Sequence, residues 1–107
     1  MKPPTGQKLA DAMARMLGWK NDKFLVGHWI ILTGSAIPKI DWRPHLSFDQ
    51  CRIVEDWIWK MGRWERFIFH LGWITKSHSQ NWNMRSSPLQ RCQAAWLAYK
   101  ESTKGKL

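Results

Sequence analysis

The sequence predicts a small α+β domain, and three observations carry that prediction. Its 107 residues fit one domain and leave no room for two. Hydrophobic residues make up 44% of the chain, enough to build a core and too many for a disordered polymer. Helix-type and strand-type apolar patterns alternate along it, and two of the helices are announced by the same capping signature.

Residues 1–6 read as a short lead holding Pro3 and Pro4. Residues 7–100 read as a single α+β domain, and residues 101–107 as a basic, flexible tail. The first helix is expected over Gln7–Leu17, capped by Thr5, with Leu9, Met13, Met16 and Leu17 on one stripe and Gly18 as the stop. Trp19–Lys23 is a polar connection. Phe24–Leu32, rich in β-branched and aromatic residues, predicts a mostly buried strand. Thr33–Pro44 is a loop, with a short extended piece at Ile37–Trp42.

The second helix is expected over Ser47–Met61. Ser47 and Gln50 have capping-box spacing, and Leu46 and Cys51 occupy the hydrophobic-staple positions. Cys51, Val54, Trp57, Ile58 and Met61 form its apolar stripe, and Gly62 ends it. Arg63–Thr75 (RWERFIFHLGWIT) alternates with period two and predicts a second strand, with Phe67, Phe69, Leu71 and Trp73 on one face. Lys76–Ser86 is a polar loop around Trp82. Ser87, Pro88 and Gln90 then open a third helix to Lys100, striped by Leu89, Cys92, Ala95, Trp96 and Tyr99. Trp57, Phe69, Trp73 and Trp96 are expected to be largely buried.

Charge is unevenly spread. There are 17 Lys and Arg against 8 Asp and Glu, a net charge of +9. The ends are basic and the middle, residues 24–75, is close to neutral. Such a field attracts nucleic acid, nucleotides, an acidic protein face or anionic lipid. Nine tryptophans are more than a domain of this size can hide, so some are expected at the surface, where a partner can use them. Cys51 and Cys92 form no CxxC and read as buried, reduced thiols. The longest apolar run, Phe24–Leu32, is too short to span a bilayer, and nothing at the start resembles a signal peptide. The expected location is cytoplasmic.

No catalytic frame stands out. Ser, Cys and His are present without a GxSxG pattern, and no glycine-rich phosphate loop appears. His70 and His78 are too far from other ligands to suggest zinc, and His28 reads as a core histidine. No metal and no cofactor are expected. The basic-aromatic interleaving of Arg63, Trp64 and Arg66, followed by Lys76, Trp82 and Arg85, is the candidate binding site. There the cations neutralise an anion and a Trp supplies stacking. Arg91, Lys100, Lys104 and Lys106 form a second basic patch. The two rival readings are a small hydrolase using His70 with Glu65, and an oligomerisation module such as a homodimer.

LADAMARMLGW (Leu9–Trp19), Trp42-Arg43-Pro44 before the second helix, and SPLQRCQAAWLAYK (Ser87–Lys100) resemble segments of the phage ABA-sandwich domain family. The resemblance covers roughly Gln7 to Glu101. It implies an α-β-α layered sandwich of three helices and a short sheet, and a phage or prophage origin; it brings no settled activity and no set of catalytic residues. With the charge and the tryptophans, it leads to an expectation for function. The chain is read as a non-enzymatic accessory protein that binds an anionic partner, either a nucleic acid or nucleotide or a host defence complex such as CRISPR-Cas, in the host cytoplasm.

Overall fold

The computed structural model describes residues 2–21, 24, 26–76 and 86–104, the last three by backbone alone. Among these residues the chain is mixed α+β, with four α-helices and one three-stranded antiparallel sheet. The order is α1 (Gly6–Met16), β1 (Lys20–Asn21), β2 (His28–Ile30), β3 (Ala36–Pro38), a 3-10 turn (Lys39–Asp41), α2 (Phe48–Lys60), α3 (Trp64–Thr75) and α4 (Pro88–Lys104).

Helix α1 buries Leu9, Met13, Met16 and Leu17 as their spacing requires. Thr5 stands at its N-cap, but its side chain makes no capping bond. Gly18 adopts φ +85, the left-handed conformation that ends helices at low cost for glycine. Gly18 N–H then donates to Arg15 O and Trp19 N–H to Ala14 O, both at 3.0 Å. This closure turns Trp19 inward, where its ring lies 4.5 Å from that of Trp42. The buried Trp42 donates its indole N–H to Ala10 O at 2.9 Å, so the long loop is tied to α1 without an orphaned donor.

The sheet is smaller than the sequence suggests. The expected strand Phe24–Leu32 contracts to His28–Ile30, and Phe24, Val26 and Leu32 are exposed instead of buried. Gly27 and Gly34, at φ +84 and +91, turn the chain on either side, which leaves room for one inward residue, Trp29. His28 is half-buried and not a core residue. The segment read as a polar connection supplies the edge strand β1, paired with β2 through Lys20–Ile30 and Asn21–Trp29. The extended piece expected at Ile37–Trp42 is strand only over Ala36–Pro38, and a 3-10 turn follows.

Ser47 caps α2, its Oγ accepting from Gln50 N–H at 3.3 Å. The reciprocal half of the box is missing. Gln50 reaches past the cap, accepting from Arg43 N–H and donating to Asp41 O. The staple is missing too, since Leu46 is exposed. Cys51, Val54 and Ile58 are buried, Trp57 packs against the core, and Met61 is exposed because it lies past the last helical turn. At α4 the box is complete. Gln90 N–H donates to Ser87 Oγ at 3.2 Å, and Ser87 N–H to Gln90 Oε1 at 2.9 Å. Replacing Ser87 by alanine is expected to cost about 1 kcal/mol, read as a fall of about 4–8 °C in the melting temperature. An unchanged melting temperature contradicts this cap.

Residues Arg63–Thr75 do not form the expected strand. Trp64–Thr75 is a helix, which is why the described residues hold four helices and not three. The run that alternates with period two also places Trp64, Phe67, Ile68, Leu71 and Ile74 on one helical stripe. Phe67 and Leu71 are fully buried, and Trp64, Ile68 and Ile74 pack against the core. Phe69 and Trp73, expected inside, are 47% and 71% exposed. Gly62, at φ +71, closes α2 with Gly62 N–H to Trp59 O and Arg63 N–H to Ile58 O. The chain therefore enters α3 within one residue, leaving no span for a strand.

Helix α4 is the hub, packing against α3, α2 and α1. Ala94, Ala95 and Ala98 are fully buried on it and let its neighbours approach closely. Trp96 and Tyr99 are half-buried against the same core. Cys51 and Cys92 are buried free thiols, their sulfurs 4.0 Å apart between α2 and α4. The hydrogen bond to Cys51, then burial, pushes the Cys92 thiol up, so it stays protonated and inert. The helix runs to Lys104, beyond the expected end at Lys100, so residues 101–104, assigned to the flexible tail, are helical.

Candidate docking face on helix α3

Helix α3 distributes the predicted site residues. Arg63 is its N-cap and is half-buried. Trp64 opens the helix, half-buried, with its ring 5.5 Å from Trp59 and 4.9 Å from Phe67. Arg66 is exposed on the outer side. Lys76 is the exposed C-cap at φ +55, about 20 Å from Arg63 at 1.5 Å per residue. Trp82 and Arg85 lie outside the described residues. The structure therefore joins Arg63 to Trp64, and places Arg66 and Lys76 on the outward side of α3.

What occupies that outward side is aromatic. Phe69 and Trp73 are one helical turn apart, with ring centroids separated by 6.5 Å at 63°. The Arg66 guanidinium carbon sits 4.5 Å from the Phe69 ring centroid. Arg66 also makes two bonds to Glu101 on α4, Nε to Oε2 at 2.7 Å and Nη2 to Oε1 at 2.9 Å. His70 Nε2 lies 2.6 Å from the same Glu101 Oε1. The aromatic pair and the arginine plane are thus held on a helix whose far side is core.

The electrostatics decide what this face can recognise. The hydrogen bonds from Arg66, supported by His70, hold the Glu101 carboxyl down to about 2, so it is ionised throughout the neutral range. Glu101 cancels the charge of Arg66, the cation that lies against the aromatic pair. With its central arginine already paired, the strip is not built to gather phosphates. It presents rigid aromatic area beside an oriented arginine, the composition of a protein-interface hot spot.

The Glu101 clamp has a pH signature. Its carboxyl ionises more easily folded than unfolded, so its contribution is full above the ordinary value of 4.5 and fades as pH falls toward about 2. Urea unfolding of the wild type is expected to lose more stability across that window than Glu101→Gln does. Identical pH profiles contradict the clamp.

The catalytic alternative receives a different pairing from the one expected. The carboxylate partner of His70 is Glu101, shared with Arg66, and not Glu65. Arg91, placed in a second basic patch, is largely buried and bonds Ser86 Oγ at 2.9 Å and Glu55 Oε1 at 3.1 Å. It ties α4 to α2. Among the described residues no group of three His, Cys, Asp or Glu is placed to hold a metal ion, and no helix is long and apolar enough to cross a membrane.

Reading α3 as a strand put Phe69 and Trp73 in the core and left Glu101 in the tail, so the centre of the face was missed. The helical stripe Trp64–Phe67–Ile68–Leu71–Ile74 was the signal that could have found it. No family model, no curated protein and no solved structure matches the chain.

Proposed function

We propose that this chain is a small non-catalytic accessory protein that docks on an acidic protein partner through the outward face of α3. The observation that carries this reading is Trp73, 71% exposed beside Phe69 on a helix whose arginine is already paired. A large ring held in water on a rigid helix contributes most when a partner pocket covers it. The net charge of +9 steers the chain toward acidic surfaces and speeds encounter, while the rings supply the affinity. The sandwich resemblance adds the setting: a phage protein acting in the host cytoplasm against a defence complex, with an α-β-α layering of which the α+β content is the coarse form.

The test immobilises wild-type and Trp73→Ala protein against bacterial host lysate, with and without nuclease. A stoichiometric protein that survives nuclease and is absent from the Trp73→Ala eluate supports the reading. Capture that vanishes with nuclease, or that Trp73→Ala retains in full, contradicts it. A homodimer that buries Trp73 in size-exclusion measurements gives the face to a second copy instead.

A further inference from the structure

A second aromatic residue stands in a different electrostatic setting. Trp59, on the last turn of α2, is 65% exposed. Its ring meets Trp64 edge-on, at 5.5 Å and 76°, an arrangement that fixes the indole and leaves most of it in solvent. Arg52, Asp56, Trp59 and Lys60 recur at i, i+4, i+7 and i+8 along one exposed ridge of α2, and Arg63 follows at the corner with α3. Arg52 and Lys60 on this ridge and Arg63 at the corner supply three cations, against the exposed carboxylates of Asp56 and Glu65. Glu55, on the same helix, faces Arg91 instead. Unlike Arg66, these three cations have no carboxylate partner among the described residues.

We propose that the α2–α3 corner binds single-stranded nucleic acid, with a base stacked on Trp59 and phosphates held by Lys60, Arg63 and Arg52. The physical case rests on shape as well as charge. An exposed ring at a helix corner can stack only on a base whose face is free, and duplex bases have their faces covered. Stacking tolerates any base, and cations on either side follow the backbone, the combination found in non-specific single-strand binding. This site is separate from the Trp73 face, so either can fail without the other.

The test is fluorescence anisotropy of labelled oligo-dT, oligo-dA and a duplex of equal length, at several salt concentrations, with a polyglutamate peptide as competitor. Wild type is expected to prefer the single strands. Trp59→Ala should weaken them roughly 5- to 150-fold with the salt slope unchanged, and Trp59→Phe should recover part of the loss. Lys60→Gln should reduce the slope by about 0.7. Trp73→Ala should bind as wild type, and thermal melting confirms that each variant is folded. Equal affinity for duplex, an unaffected Trp59→Ala, or no binding at physiological salt overturns the proposal. So does polyglutamate that competes as well as unlabelled oligo-dT, which assigns the corner to an acidic protein instead.

Discussion

Phe67→Ala is expected to destabilise the protein by about 3–5 kcal/mol, while Trp73→Ala is expected to change stability by no more than about 0.5 kcal/mol. Phe67 is fully buried, next to Leu71 one turn on, and its removal leaves a cavity where α3 meets the core. Trp73 points the other way and is 71% exposed. The contrast separates the two periodicities that the same residues satisfy. In a strand Phe67 and Trp73 share a face, so both truncations would be costly. In a helix they are about 120° apart around the axis, and only one is costly. Against a margin of about 5–15 kcal/mol that loss can abolish folding, so Phe67→Leu is the companion variant. Its cost is expected to stay below about 1.5 kcal/mol and its unfolding to remain cooperative in urea.

The second large effect is on binding. Trp73→Ala is expected to weaken the protein partner by about 2–4 kcal/mol, roughly 30- to 1,000-fold. Exposed in the free protein, the ring costs little to remove there, and the loss appears only in the complex, chiefly as faster dissociation. Phe69→Ala also removes the surface on which Arg66 rests, and is expected to lose less. Lys76→Gln, at the rim, should alter mainly the association rate and its dependence on salt. Surface plasmon resonance on the captured partner distinguishes these signatures.

The helices that carry their own punctuation were legible in the sequence. Ser47 and Ser87 sit at the predicted caps, and Gly18 and Gly62 at the predicted stops, because capping is a local interaction of neighbouring residues. Helix α3 lacks a side-chain cap, and its apolar residues satisfy both periods, so tertiary packing against α4 chooses the helix. The sheet was overestimated for a similar reason. Phe24–Leu32 has strand composition, but glycine turns limit pairing to three residues, and composition does not reveal where a turn will fall. The site was legible only as chemistry. Arg66 and Lys76 were singled out for their charge, yet Glu101, 35 residues from Arg66 along the chain, decides what that charge can do. A contact at such separation leaves no trace in local patterning.

Hydroxyl-radical footprinting of the protein alone and with its captured partner tests the central claim most directly. In the free protein, oxidation is expected at Trp59, Phe69 and Trp73, with little at the buried Trp29 and Trp42. In the complex, Trp73 and Phe69 are expected to be protected together, while Trp59 on α2 keeps its reactivity. If Trp73 remains as reactive in the complex as in the free protein, the outward face of α3 is not where the partner docks.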